Sequence, residues 1–142
     1  MSADGRSDQE LRDILTGDPT IAVLGASPRR DRASRAVLGY LIQHGYNAVP
    51  VNPVYAGETI FGKTVYASLA DVPGAIDVVD IFRRTEKLGE AVDEALALPR
   101  KPQVVWMQLG LRDDAAAQKA KAAGLTVVMD RCIKIEHNRL GL

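Results

Sequence analysis

Five short, largely apolar runs, at residues 20–25, 48–51, 76–82, 103–107 and 125–129, recur along the 142-residue chain. Each is too short for a buried helix and too continuous for a strand with one wet face, so each reads as a strand covered on both sides. The stretches between them carry helical signals. Asp31 stands where it can cap a helix whose Val37, Tyr40, Leu41 and His44 fall at helical spacing before Gly45 ends it. Thr85 can cap another through Leu88, Val92, Ala95 and Leu96, which stops before Pro99. Asp113 or Asp114 starts an alanine-rich third to Ala123, with Gly124 in the stop position. Ahead of the first strand, Ser7 or Asp8 caps a short helix through Leu11, Ile14 and Leu15.

Strand–helix alternation of this kind predicts an α/β fold: a three-layer, Rossmann-like, doubly wound and mainly parallel sheet of about five strands. Right-handed crossovers place the strand C-termini along one edge, and ligands bind there near the point where strand order reverses. Pro50 cannot donate to a sheet ladder, which assigns the second strand an outer or irregular position. Residues 52–74 read as turn, with a short helix near Ser68 and Leu69. The expected organisation is an N-terminal tail and short helix over 1–17 and one domain over 18–142.

Charge narrows the function. Eighteen basic side chains balance eighteen acidic ones, so no overall field favours nucleic acid or an anionic membrane. No apolar run reaches membrane-spanning length, and the first ten residues lack the apolar stretch of a secretory signal, so a cytoplasmic protein is expected. Cys132 is the single cysteine, which excludes an internal disulfide and any multi-thiolate metal site.

Against that neutral background, the segment after the first strand stands out. Gly25-Ala26-Ser27 leads into Arg29, Arg30, Arg32 and Arg35, opposed only by Asp31. Glycine allows a backbone to approach an anion, and the following helix start offers unpaired N–H groups. Cations at a helix N-terminus are ordinarily unfavourable, so four of them imply a compensating phosphate; Ser27 and Ser34 could add hydroxyl donors. The full G-x-G-x-x-G pattern is absent, and no acidic residue stands between Arg32 and Gly57 to hold a free ribose diol. That demotes NAD, and it leaves NADP and coenzyme A open.

The chain resembles the small coenzyme A-binding proteins related to the nucleotide-binding domain of succinyl-CoA synthetase α-subunits. The matching segments are Gly25-Ala-Ser, Arg32 leading to Tyr40-Leu, Gly45-Tyr46, Val49-Pro-Val-Asn-Pro53, Gly62, Tyr66-Ala-Ser-Leu69, Asp77-Val-Val-Asp-Ile-Phe-Arg83, Val105-Trp-Met-Gln-Leu-Gly110 and Asp130-Arg-Cys-Ile-Lys-Ile-Glu-His137. They run in order over about residues 18–140. The resemblance implies that residues 18–142 form a coenzyme A-binding domain in which Gly25, Ala26 and Ser27 cradle the diphosphate. Val51, Asn52 and Pro53 would border the adenosine, Phe82 and Arg83 would close the crevice, and Gln108 and Gly110 would lie towards the pantetheine. Relatives place a basic residue after the Asn-Pro pair where this chain has Val54 and Tyr55, so Arg29 or Arg32 would supply the 3′-phosphate contact. The synthetase's ligase activity needs a phosphohistidine from a further domain and is not carried over.

The remaining candidates divide between chemistry and packing. Arg131 and Lys134 flank Cys132 and could make its thiol reactive, whereas a lone cysteine more often serves as a small apolar residue. His44 and His137 are far apart in sequence and read as unrelated, Trp106 reads as core, and Asp77 and Asp80 point to opposite faces of their strand. The expected function is a non-catalytic carrier, sensor or regulator that binds coenzyme A or an acyl-CoA. The alternatives are an NADP-dependent oxidoreductase or an acyl-CoA-processing enzyme, with a partner subunit or a homo-oligomer supplying what this chain does not.

Overall fold

The computed structural model describes residues 5–142. All five apolar runs become strands of one parallel sheet: β1 (Thr20–Leu24), β2 (Asn47–Val51), β5 (Val78–Ile81), β6 (Val104–Met107) and β7 (Thr126–Val128). Their order is β2-β1-β5-β6-β7. The chain therefore builds outward from β1 in one direction, then returns across it and builds in the other. Strand order reverses between β1 and β5, the position where open α/β sheets form a crevice.

Five helices cover the sheet: α1 (Asp8–Leu15), α2 (Ala33–Gln43), α3 (Leu88–Leu96), α4 (Asp114–Ala122) and α5 (Ile133–Arg139). Alternation along the strands sorts the core into two layers. Ala22, Leu24, Val79, Ile81, Val105 and Met107 pack with Leu88, Val92, Ala95, Ala117 and Ala120 of α3 and α4. Ile21, Val23, Val78, Val104 and Trp106 pack with Leu11, Leu15, Val37, Leu41 and Ile133 of α1, α2 and α5. The result is the three-layer, Rossmann-like architecture that the alternation predicts. Trp106 is fully buried, and its indole N–H donates to the Arg131 carbonyl at 2.9 Å.

Pro50 lies on the edge strand, and its own carbonyl accepts from the Tyr66 N–H at 3.1 Å on the side away from β1. Its missing N–H therefore falls on the outer side, where no ladder runs. Three readings need correcting. Asp31 does not cap α2; the N-cap is Arg32, which makes no side-chain capping bond, and Asp31 turns back to Arg29 at 3.4 Å. Within the turn-rich segment, β3 (Thr59–Ile60) and β4 (Lys63–Thr64) form a small antiparallel hairpin. Its turn places Phe61 at φ 51° and Gly62 at φ 76°, the double positive φ of a type I′ turn. The Phe61 ring lies against Gly39 of α2, where a Cβ would come within 2.9 Å of it. Thr85 does not cap α3 either: it opens a 3₁₀ turn over Thr85–Lys87, and Lys87 stands at the N-cap of α3. The segment after Asp130 folds as α5. Glu136 joins it to two arginines, Arg131 at 2.8 Å and Arg139 at 2.7 Å, and Arg139 reaches Asp8 of α1 at 2.8 Å.

Asp80 is the anomaly of the core. It sits in β5 between Val23 and Trp106, fully buried, and neither carboxyl oxygen has a hydrogen-bond partner. Burial pushes its pKa well above the usual 3.8, so the folded protein keeps a proton that the unfolded chain releases. Stability from this group is therefore fullest below about pH 4 and declines as pH rises toward the folded pKa. Asp80→Asn should abolish that decline. Denaturant titrations across pH should show the variant gaining on the parent by up to about 1.4 kcal/mol per pH unit within this window; parallel profiles would mean that the carboxyl is not held protonated.

Candidate functional site

Where strand order reverses, the ends of β1 and β5 come into backbone contact. Gly25 has φ 95°, and a Cβ on it would fall on the Phe82 carbonyl oxygen, so no side chain fits. The Gly25 N–H donates to the Val51 carbonyl at 2.8 Å, the Ala26 N–H shares the same acceptor at 3.3 Å, and the Phe82 N–H donates to Leu24 at 2.7 Å. The turn is thus tied to the strands on both sides of it. Its third amide, Ser27 N–H, donates to the Ser34 hydroxyl oxygen at 3.1 Å.

Above this turn opens a cavity of about 690 Å³, lined by residues following β1, β2, β5, β6 and β7, a volume typical of small-molecule and cofactor sites. Its polar donors cluster at the start of α2. Ser27 and Ser34 are both more than nine-tenths buried, and each hydroxyl oxygen accepts a backbone N–H, leaving its own proton free to donate. Ala33 and Ser34 open α2, where the first N–H groups have no partner within the helix. Arg32 is exposed at the same mouth and makes no ion pair with the described residues. Among the described residues, no acidic side chain lines the cavity.

Of the residues expected from sequence, the cavity brings together Gly25, Ser27, Arg32, Asn52, Phe82 and Gln108. Asn52 lines the wall and also braces it: its amide N–H donates to the Ala26 carbonyl at 2.9 Å and its amide oxygen accepts from the Val54 N–H at 3.0 Å. The others stand back. Ala26 and Val51 are buried beneath the turn, and Pro53 is exposed at the start of a 3₁₀ turn. Arg29 pairs with Asp31, and Arg83 reaches 4.0 Å from Glu94 of α3. Gly110 is engaged through its N–H with the Asp130 carboxylate at 2.7 Å. The arginine cluster disperses in the same way, since Arg35 lies over the Phe61 ring at 4.5 Å.

Cys132 is half-buried in the cavity wall. Its neighbouring cations face elsewhere: Arg131 towards Glu136 and Lys134 over the Tyr40 ring. His44 and His137, unrelated in sequence, meet because α5 packs on α2. Their rings lie 4.9 Å apart, and His137 Nδ1 is 2.7 Å from the Tyr40 hydroxyl. Burial, with His44 alongside, holds the His137 imidazole below its ordinary pKa, and neither histidine reaches the cavity. Sequence reasoning missed Leu109, Leu111 and Ile135. One signal was available for Ile135: it stands two residues from Ile133, so a helix cannot bury both on one face.

The family profile described as a CoA binding domain matches residues 19–138. The chain belongs to the CoA-binding domain family. Among curated proteins, it is 39% identical over 131 residues to the uncharacterized protein YneT of Bacillus subtilis, covering 92% of this chain and 94% of that one. Among solved structures, a hypothetical protein from Pyrococcus horikoshii superimposes with a TM-score of 0.92 at 39% identity, over 100% of this chain and 97% of the other. A Thermus thermophilus protein (cell-free ID.343) gives a TM-score of 0.89 at 43% identity, over 95% and 99%. Membership of the CoA-binding domain family agrees with the cavity's position at the switch point. No helix among the described residues is long and apolar enough to cross a membrane.

Gly25→Ala tests the contact on which the site rests. It combines left-handed strain with overlap on the Phe82 carbonyl, and should cost about 2–4 kcal/mol in urea unfolding. A loss below about 1 kcal/mol would mean that β1 and β5 can part there without consequence.

Proposed function

We propose that the cavity binds coenzyme A or an acyl-CoA and that the protein acts as a non-catalytic carrier, sensor or regulator of that cofactor. One observation carries the reading. Two buried serine hydroxyls, the unpaired N–H groups of α2 and the unpartnered Arg32 converge on one mouth of a cavity that no acidic side chain among the described residues lines. A diphosphate fits that donor set, with the dipole of an eleven-residue helix adding to the attraction. Gly25 lets the ligand lie close over the sheet edge, while Ala26, Val51, Asn52 and Pro53 act as framework beneath and beside it. Val54 and Tyr55 offer the adenosine an apolar and aromatic surface. Arg32 takes the 3′-phosphate or the diphosphate; Arg29 and Arg83, held by carboxylates, do so only after changing partners. Phe82 closes the floor, and Gln108 borders the pantetheine path.

Cys132 in the wall favours one second reading, an acyl-CoA-processing enzyme with a thiol nucleophile. We place it second because, among the described residues, neither histidine nor any carboxylate lines the cavity to act as a base.

A ligand that binds only the folded state raises the melting temperature. Coenzyme A and acetyl-CoA should both do so, with NAD inert and NADP weaker than coenzyme A. A shift from NADP without one from coenzyme A would make the oxidoreductase the better reading. Arg32→Ala should weaken coenzyme A binding by about 1.5–3 kcal/mol in calorimetric titration, the value of a charge-assisted bond; unchanged affinity would remove Arg32 from the site. If Arg32 reads the 3′-phosphate, dephospho-coenzyme A should bind parent and variant alike.

A further inference from the structure

We propose that the arm of the cavity beyond Gln108 receives the acyl chain of an apolar thioester, so that the preferred ligand is a medium-chain or branched acyl-CoA rather than the free thiol. The inference rests on the coenzyme A reading and extends it to the opposite end of the ligand. In sheet order, the wall runs from Asn52, Val54 and Tyr55 after β2, through Gly25 and Ser27 after β1 and Phe82 after β5. It continues to Gln108, Leu109 and Leu111 after β6, then to Cys132 and Ile135 after β7. The phosphate donors stand after β1. A ligand anchored there, with its adenosine towards β2, must extend its other end towards β6 and β7.

Among the described residues, that arm carries no charged group. Its lips are Leu109, 62% exposed, and Ile135, 54% exposed, with Leu111 and Cys132 half-buried between them. Neither lip is loose. Leu109 occupies the tip of a turn closed by the Leu111 N–H on the Gln108 carbonyl at 2.8 Å, with Gly110 at φ 87°. Asp130 clamps the turn from both sides: its carboxylate accepts the Gly110 N–H at 2.7 Å, and its own N–H donates to the Leu111 carbonyl at 3.1 Å. Turn tips ordinarily carry polar residues; here the framework holds a leucine rigidly in water. Ile135 faces it from α5, whose Ile133 is fully buried on the other side of the helix. Two large apolar groups held exposed across a cavity await an apolar occupant.

Gln108 marks the junction between the two arms. It is only 5% exposed, and its Oε1 accepts the Ile133 N–H at 3.3 Å. Gln108 borders the cavity, and its Nε2, which makes no bond to the described residues, is a donor suited to the carbonyl of a thioester or of the adjoining amide.

The test is calorimetric titration of the parent with coenzyme A, acetyl-CoA, hexanoyl-CoA and octanoyl-CoA. A fully buried methylene is worth about fourfold in affinity. Octanoyl-CoA should therefore bind at least about tenfold more tightly than acetyl-CoA, even in a half-open groove. In a Leu109→Ser/Ile135→Ser double variant, whose fold is checked by its melting curve, the chain-length series should flatten towards one. Coenzyme A that binds as tightly as every acyl-CoA overturns this inference and leaves the coenzyme A reading standing. A protein that binds none of the four overturns both. A parent dimer that the double variant dissolves, seen by sedimentation, overturns the inference as well, because the lips would then belong to an interface between copies.

Discussion

The ends of β1 and β5 approach so closely that only a glycine can stand between them, and the architecture of the site follows from that contact. Gly25, at φ 95°, lies against the Phe82 carbonyl, and any Cβ would force the two strands apart. In a sheet ordered β2-β1-β5-β6-β7 this is also where the chain changes direction, so the helices following β1 and β5 leave on opposite faces and a crevice opens between them. The contact closes the floor of that crevice. Its consequences extend sideways, because the Val51 carbonyl takes both the Gly25 and Ala26 N–H groups and Asn52 holds the Ala26 carbonyl.

The same bonding changes how the glycine turn can serve a phosphate. Backbone amides of such a turn are the usual cradle, but here those of Gly25, Ala26 and Ser27 are already engaged with Val51 and Ser34. The available donors lie one step further on, in the hydroxyls of Ser27 and Ser34 and the opening N–H groups of α2. Ser34 has two tasks: its oxygen fixes the turn while its proton remains available. The turn is therefore a rigid base beneath the anion, and the helix start supplies the binding.

Much of this was legible from the residues alone. Five strands in a three-layer fold follow from short unbroken apolar runs, and Pro50 pointed to an outer or irregular strand because a missing donor is tolerable there. What sequence could not reveal were partners distant along the chain. Arg29, Arg30, Arg32 and Arg35 look like one field when written in a line, yet Asp31 and the Phe61 ring draw off two of them. Phe61 can reach Arg35 only through an I′ turn that a phenylalanine seldom enters. His44 and His137, 93 positions apart by their numbering, meet only once α5 lies on α2. Leu109 and Leu111 passed as ordinary apolar residues, because nothing in their neighbours tells an apolar side chain facing a core from one facing a cavity; Ile135 alone carried a hint, in its spacing from Ile133.

The far wall of the cavity depends on a charge network that stability alone does not explain. Arg131 and Glu136 are both about nine-tenths buried, and replacing such a pair with apolar groups is often neutral or favourable. Its geometry points to positioning instead. Glu136 holds Arg131 at the start of α5 and Arg139 at its end, while Arg139 reaches Asp8 of α1 and Arg131 donates to the Arg6 carbonyl at 2.9 Å. A seven-residue helix has little intrinsic stability, and these bonds fix where it begins and how it is rotated. Its beginning is Cys132, its first N–H meets Gln108, and its rotation turns Ile133 inward and Ile135 across the cavity. The side chains that shape the far arm are thus held in register by ion pairs that the same helix makes.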